Sequence, residues 1–228
     1  MLTRRGILSG AAVALAASTA GCGAIPFLGS EPLTFEATQA TVPASAREGT
    51  GYEEQGIKEN VIERTFSVAG QSQDVVVTNY QAKYDKAISV SDMVGRDLPS
   101  ERSARAAVFT VLSTPQVSVL GRSFNPIKDM DSSELAKRVG KNFESVENLE
   151  QVGEESATVA GKETTAGEFS ADAQLSEAPT TIKLALHITE AVGVGNDFIV
   201  TVGGYPRKVE AIERENVFSM MEAVNRQE

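Results

Sequence analysis

Apolar and polar residues alternate along much of the chain, with the two-residue period that is typical of half-buried β-strands. Glycine, proline or polar residues bound these runs, and such residues are turn signals. Gly-containing turns near 69–71, 160–162 and 193–197 predict that neighbouring runs form hairpins. The predicted strands lie at 33–42, 61–68, 74–84, 106–113, 117–120, 180–190 and 198–202, with two more within 156–173.

The run at 106–113 differs from the others because it is almost continuously apolar. This pattern predicts a central strand that is covered on both faces. The stretches at 44–56 and 86–105 are polar and contain glycine. The sequence predicts a loop or frayed helix for the first of them and a connector for the second.

Two segments repeat apolar residues every three or four positions, which is the period of a helix. The first, near 131–147, begins with Asp131 and Glu134 at the spacing of a capping box. The second, near 207–226, is the clearest helix in the sequence. The predicted buried stripes are Leu135, Val139, Phe143 and Val146 in the first helix, and Val209, Ile212, Val217, Met220, Met221 and Val224 in the second.

This order of elements predicts an α+β fold, in which helices pack on the faces of an antiparallel β-sheet. The predicted domain spans 33–228. Residues 1–21 are predicted to be a signal peptide and 22–32 a flexible tether, because Gly, Pro and small residues follow the leader.

The leader has the layout of a secretory signal. Arg4 and Arg5 precede a charge-free apolar run at 7–20, and paired arginines in this place indicate twin-arginine export. The run holds about fourteen residues and is too short to span a bilayer, which takes about twenty.

Cys22 is the only cysteine, so an intrachain disulfide is excluded. It directly follows small residues at the end of the apolar run, and this arrangement resembles a lipobox. The resemblance implies that Cys22 becomes the N-terminus and carries lipid, which would anchor the protein to the membrane. The alternative is a plain secretory leader with an incidental cysteine. Thr19 stands where leucine is commoner in lipoboxes.

The composition changes the picture in one respect, which is charge. The formal net charge is −10, and loss of Arg4 and Arg5 with the leader would make it −12. An acidic surface argues against nucleic acid and against a basic lipid-binding patch. Apolar residues make up 41% of the chain, which is enough for a substantial core.

The leader, the lipobox and the acidic bias together resemble those of a surface lipoprotein of a halophilic archaeon. The segments 107–115 and 198–206 are similar to an uncharacterised family of such lipoproteins, a domain of unknown function. The resemblance implies an extracytoplasmic, lipid-anchored protein and no assigned activity. The element order also resembles the α/β/α sandwich of the photosystem-II oxygen-evolving subunit family and of the nuclear-import factor that shares its fold.

Catalytic chemistry finds little support in the sequence. A Ser–His–acid triad would have to use His187, the only histidine, which falls on the more polar side of a predicted strand. A solvent-facing or packed strand histidine is the simpler interpretation. One Cys and one His do not make an ordinary zinc site, and the acidic residues lack the spacing of a calcium loop. The sequence predicts no catalytic residue, metal or cofactor.

One loop is a candidate ligand site. Gly203 and Gly204 are predicted to break the strand before the last helix, where free N–H groups hold anions. The candidate residues are Gly203, Gly204, Tyr205, Arg207 and Lys208, the last two adding positive charge. The alternative, which we favour, is a tight strand-to-helix connection.

The sequence therefore predicts a non-enzymatic surface module that binds a protein or small ligand, or assists an envelope complex. Two alternatives stay open. A carboxylate-based hydrolase would need two acids in one concave pocket, one of them lined by apolar groups. A small solute receptor would need a cleft between two lobes.

Overall fold

The computed structural model describes residues 31–68, 71–94, 103–119, 122–123, 125–140, 146–174 and 181–227. The predictions for Arg4, Arg5, Cys22 and most of the tether concern residues outside this part of the chain.

Long strands dominate the described part of the chain, and short helices connect or cover them. The strands are β1 (Leu33–Glu36), β2 (Ala40–Thr41), β3 (Glu53–Val68), β4 (Gln71–Ser89), β5 (Ser103–Pro115), β6 (Ser118–Val119), β7 (Arg122–Ser123), β8 (Val146–Val159), β9 (Lys162–Gln174), β10 (Thr181–Thr189), β11 (Val192–Val194), β12 (Asp197–Pro206) and β13 (Asn225–Arg226). The helices are α1 (Ala44–Thr50), α2 (Val90–Val94), α3 (Ser132–Gly140) and α4 (Glu210–Glu222), with 3₁₀ turns at Pro126–Asp129 and Arg207–Val209.

Nine strands form one sheet, whose main order is β3-β4-β5-β12-β10-β9-β8. All neighbours along this order are antiparallel. Strand β1 pairs with β4 in parallel, and β11 pairs with the start of β12 in antiparallel orientation. Strands β3 and β8 form the two outer edges. Two further sheets in the described part of the chain, β2–β13 and β6–β7, have two strands each.

Helices cover both faces of the sheet, so the domain has three layers. Because side chains alternate along a strand, each strand of the sheet supplies one row to either face. Helix α4 packs on one face, where Val217, Met220 and Met221 are fully buried. Helix α3 packs on the other face, where Leu135 and Ala136 belong to the same buried cluster as Phe169, Ala171 and Ile188 of the sheet. The α+β class and the antiparallel sheet with helices on its faces are therefore confirmed, with β1 as a parallel addition.

Several local predictions are confirmed. The strand predicted at 106–113 lies within β5, at the centre of the sheet, where Ala107, Phe109 and Val111 are inaccessible to solvent. The hairpin β8–β9 turns through Ala160 and Gly161, both at positive φ (49° and 72°), as a tight two-residue turn requires. The N-cap prediction also holds, since Asp131 Oδ1 accepts a hydrogen bond from the Glu134 backbone N–H at 2.8 Å.

Other predictions are wrong, and exposed strands explain most of them. The helix alternative predicted for 44–56 is confirmed at Ala44–Thr50, but Glu53 already begins β3, which extends the predicted strand at 61–68 toward the N-terminus. Within that strand Ile62 is 46% exposed. Strand β3 is an edge strand with solvent on both sides over much of its length, so its sequence lacks the alternation that marks a buried strand. The predicted connector at 86–105 contains the end of β4, helix α2 and the start of β5; both strands are interior strands of the sheet, but these ends are polar and partly exposed.

The two helices are shorter than predicted. Helix α3 ends at Gly140, and Val146 begins β8 instead of extending the helical stripe. Phe143 lies outside the described residues. In α4, Ile212 is 66% exposed, and the adjacent Glu213 is buried in its place.

Candidate functional site

The described part of the chain has an open groove between helix α4 and the outer part of hairpin β8–β9. Its volume is about 730 Å³. One wall holds three consecutive residues of β8, Ser156, Ala157 and Thr158, together with Glu163 of β9. The other wall is a stripe of α4 made of Glu210, Ala211, Arg214, Glu215, Phe218, Ser219 and Glu222.

The groove is acidic because its single cation is already paired. Arg214 forms an ion pair with Glu155 of β8 and lies over the Phe218 ring at 5.2 Å. Of the lining acids, Glu210 bonds to Arg207 at 3.3 Å. The carboxylates of Glu163, Glu215 and Glu222 have no ion pair among the described residues.

A buried polar chain lies beneath the groove. The Tyr205 hydroxyl and His187 Nε2 are 2.8 Å apart, and both residues are fully buried. His187 Nδ1 lies 3.5 Å from Glu155 Oε1. The imidazole ring of His187 and the ring of Phe218 are arranged edge to face, with their centroids 5.2 Å apart. Because Phe218 lines the groove, the histidine lies directly below it. The predicted polar-side histidine is thus a packed strand residue, which is the second of the two possibilities raised by the sequence.

Burial sets the protonation of this chain. It lowers the pKa of His187 to about 4, against an opposing contribution from Glu168, while Arg214 and Arg207 lower it further. Burial also raises the pKa of Tyr205, with Glu210 and Glu168 adding to the shift. At neutral pH the imidazole is therefore uncharged. Its Nδ1 faces the Glu155 carboxylate, which favours the Nδ1–H tautomer, so Nε2 accepts a hydrogen bond from the Tyr205 hydroxyl.

The order hydroxyl, imidazole, carboxylate matches that of a catalytic triad, but the geometry does not support nucleophilic catalysis. Tyr205 has no solvent-accessible surface, so its oxygen cannot reach a ligand in the groove. Its raised pKa also disfavours the nucleophilic phenolate. The hydrogen bond between Tyr205 and His187 joins β12 to β10 beneath the groove, whereas His187 Nδ1 faces Glu155 of β8 without forming a hydrogen bond.

Removal of the Tyr205 hydroxyl should have a measurable structural cost. In Tyr205→Phe the buried Nε2 of His187 loses its donor, and we expect about 1–2 kcal/mol of destabilisation in urea unfolding at pH 7. Tyr80→Phe is the matched control, because the Tyr80 hydroxyl bonds to Glu36 at 2.6 Å in an exposed position. Equal effects of the two substitutions would contradict the proposed role of the buried hydrogen bond.

A second buried cluster joins α4 to the other end of the sheet. Glu213 is 2% exposed and accepts hydrogen bonds from Lys86 Nζ at 2.6 Å and from the Tyr52 hydroxyl at 3.2 Å. Asn216 donates a third at 3.1 Å. Burial, followed by the charge of Glu213, raises the pKa of Tyr52. The cluster is fully occupied by its own members, so its role is structural.

The C-terminal segment is tied down by a third polar cluster. Arg226 donates from Nε to the buried carboxylate of Asp197 at 2.8 Å, and the Thr38 backbone N–H donates to the same oxygen at 3.1 Å. Arg226 lies in β13, after the end of α4.

The predicted ligand loop has a different structure. Gly203 and Gly204 lie in the interior of β12 and pair with β10 on one side and β5 on the other. Their backbone groups belong to the sheet, and the predicted strand break is wrong. Arg207 bonds to Glu168 at 3.1 Å as well as to Glu210, while Lys208 is exposed. A 3₁₀ turn follows β12 directly, so the tight connection favoured from the sequence is confirmed.

Sequence reasoning missed the groove and both acids that organise its surroundings. For Glu213 a signal existed, because it lies four residues before Val217 and so on the buried stripe of α4. Glu155 offered none, since its position beside His187 depends on the register of two intervening strand pairs.

Two features are absent from the described residues. No group of three or more His, Cys, Asp or Glu side chains there could hold a metal ion. None of the helices in the same residues has the length and apolar character needed to cross a membrane.

Fold and groove together define a three-layer domain with an open acidic groove and buried polar clusters. The chain belongs to the family described as Domain of unknown function (DUF6517), whose model matches residues 39–225. Membership of an uncharacterised family is thus confirmed, whereas a haloarchaeal source, twin-arginine export and a lipid anchor stay predictions. No curated protein matches the sequence.

Two solved structures are similar to the chain over most of its length. The solution structure of cyanobacterial PsbP (CyanoP) from Synechocystis sp. PCC 6803 has a TM-score of 0.36 and 10% identity, covering 89% of this chain and 99% of that one. LpqN of Mycobacterium tuberculosis, described as involved in cell envelope biogenesis, has a TM-score of 0.28 and 8% identity, covering 81% and 96%. At these TM-scores neither likeness carries an inference about function.

Proposed function

We propose that this protein is a non-enzymatic, membrane-anchored module that binds a positively charged partner at the outer face of the cell membrane. The observation that carries the proposal is the groove between α4 and β8–β9, which is open and acidic. Three of its carboxylates, those of Glu163, Glu215 and Glu222, are exposed and lack ion pairs within the described residues. A cationic ligand would gain Coulomb energy there without displacing an existing pair.

The same groove argues against the hydrolase. An acid that donates a proton at neutral pH needs a raised pKa, which requires a desolvated environment. Glu163, Glu215 and Glu222 instead face solvent. Glu155, whose pKa burial raises, is paired with Arg214, and buried Glu213 is paired with Lys86. Neither of these two acids lines the groove.

The sheet organisation also argues against a two-lobed solute receptor. A two-lobed receptor would place its ligand between two sheets of comparable size. The described residues form one sheet of nine strands, and the other two sheets have two strands each. A binding surface on one side of a single domain fits a peptide or protein partner better than an enclosed small solute. We therefore expect an envelope protein as partner, and the net charge of −10 disfavours nucleic acid.

The anchor is tested by cell fractionation. The native gene and a Cys22→Ser version are expressed in a host that processes lipoproteins, and membrane and medium are probed for the protein. We expect the native protein in the membrane fraction and release of the Cys22→Ser protein. Retention of both to the same extent would exclude lipid on Cys22 as the cause of anchoring. Mass spectrometry of the mature N-terminus serves as an independent readout.

A further inference from the structure

We propose that the groove takes an extended basic peptide, which adds to the sheet as a new strand along the free edge of β8. This inference rests on the proposed function and names the kind of partner and its mode of binding. It depends on the backbone of β8, on the helix beside it and on the charges of the walls.

The backbone of β8 is available at the groove. Among the described residues, β9 alone pairs with β8, so its other side is an edge. The two-residue turn at Ala160 and Gly161 makes Val159 and Lys162 a hydrogen-bonded pair, and such pairs alternate with non-bonded ones along the hairpin. Ser156 and Thr158 are therefore in non-bonded positions, and their N–H and C=O groups point outward. Both residues line the groove.

Helix α4 lies beside this edge, so the edge of β8 forms one wall of a groove and α4 forms the other. Its lining residues run from Glu210 to Glu222 with helical spacing, so they form one stripe about 18 Å long. An extended peptide of about five or six residues covers that distance. Strand addition between an edge strand and a flanking helix is a known mode of peptide recognition.

The charges select the peptide. Side chains of an added strand alternate between the two faces, so every second one points toward α4. There the carboxylates of Glu215 and Glu222 lie on the helix. Lys or Arg at alternate positions would meet these carboxylates, and small polar residues between them would face solvent.

The test uses the full chain in non-ionic detergent and a fluorescein-labelled nonapeptide of alternating Lys and Thr. Three competitors separate the contributions: the same peptide N-methylated at every second residue, a Glu–Thr nonapeptide, and spermine. We expect the N-methylated peptide to bind about tenfold more weakly, because it cannot pair along a strand. The acidic peptide should not compete, and spermine should compete only weakly because it lacks a peptide backbone.

Variants locate the site. Glu215→Gln combined with Glu222→Gln should weaken binding about tenfold, whereas Glu63→Gln, on the exposed edge strand β3, should leave it unchanged. Thr158→Pro removes an outward N–H and should lower affinity to that of the N-methylated peptide. Hydrogen exchange gives a readout that needs no variant: bound peptide should slow exchange at the Ser156 and Thr158 amides and leave Ala157 unaffected.

The outcomes separate this inference from the proposed function. Equal binding of the methylated and unmethylated peptides, or protection on β3 instead of β8, would overturn strand addition and leave an acidic surface that binds by charge alone. Failure of every basic probe, spermine included, would remove the cationic partner from the proposed function itself. The membrane anchor is judged separately by the fractionation of the Cys22→Ser protein.

Discussion

Replacing Gly203 by alanine is expected to destabilise the domain by about 2–3 kcal/mol, although only one methyl group is added. A Cβ at this position would overlap Val217 Cγ1 and lie 3.2 Å from Val217 Cβ. Val217 is fully buried on α4, and Gly203 is fixed between two neighbouring strands, so neither backbone can move freely. Urea unfolding followed by circular dichroism measures the change.

A double-mutant cycle with Val217→Ala tests the stated cause. The single Val217→Ala change leaves a cavity and should itself be destabilising. Combined with Gly203→Ala, it removes the clashing γ-carbons, so the two losses should sum to clearly more than the loss of the double mutant. Gly49→Ala is the control, because its Cβ would meet nothing within 4 Å and alanine favours the helix α1. Strict additivity of the two substitutions would contradict direct contact as the mechanism.

The surroundings of Gly203 also explain why the predicted strand break at the two glycines is wrong. Two consecutive glycines before Tyr-Pro are an ordinary turn signal, and a local interpretation predicts a break. Here the glycines are needed because Val217 lies over one face of β12 and Leu186 over the other, with 2.9 Å between Leu186 Cδ2 and a Cβ on Gly204. Both neighbours are distant in sequence, so no local pattern reveals the constraint.

The reliable predictions were those in which burial imposes an apolar pattern, either a continuous run or a helical period. The central strand β5 and the buried end of α4 lie in the core, and their apolar patterns predicted them. Strand β3 lies at an edge and carries polar residues on both faces, so its pattern resembles a loop. Helix α3 was predicted too long because the spacing from Leu135 to Val146 fits a helix, while Val146 in fact begins an edge strand.

The groove was beyond prediction for a related reason. Its walls come from β8, β9 and α4, and what makes it a site is the free edge of β8, a property of sheet order. Sheet order depends on non-local pairing, which an apolar pattern does not specify. The acids of α4 were visible in the sequence, but on their own they read as the solvated face of an amphipathic helix.

Acidification from pH 7 to pH 4 is expected to cost the domain about 3 kcal/mol of stability through His187. Burial lowers the pKa of this histidine to about 4 in the folded state, against its ordinary 6.5 in the unfolded chain. Between these values the unfolded chain binds a proton that the folded chain does not. Stability is therefore fully present above pH 6.5 and is lost as the pH falls toward 4. Urea unfolding at several pH values measures the loss.

Two carboxyl groups modify the lower end of this range. Burial raises the pKa of Glu155, so its protonation favours the folded state as the pH falls and offsets part of the loss. Lys183, followed by Asn148, lowers the pKa of Asp172, which adds to the loss in more acidic solution. Asp172 contributes little above about pH 5.5, because its lowered pKa and the ordinary aspartate value both lie well below that pH.

The variant His187→Gln isolates the contribution of this histidine to the pH dependence of stability. A glutamine amide oxygen can accept the Tyr205 hydrogen bond, but the side chain does not titrate. Because His187 is the only histidine in the chain, the variant should show an almost flat stability between pH 7 and pH 5.5, where the native protein loses stability steadily. If the native protein and the variant had the same slope there, the imidazole would have to be charged in the folded state. Such a result would require water to reach Tyr205, His187 and Glu155, and therefore to penetrate the floor of the groove.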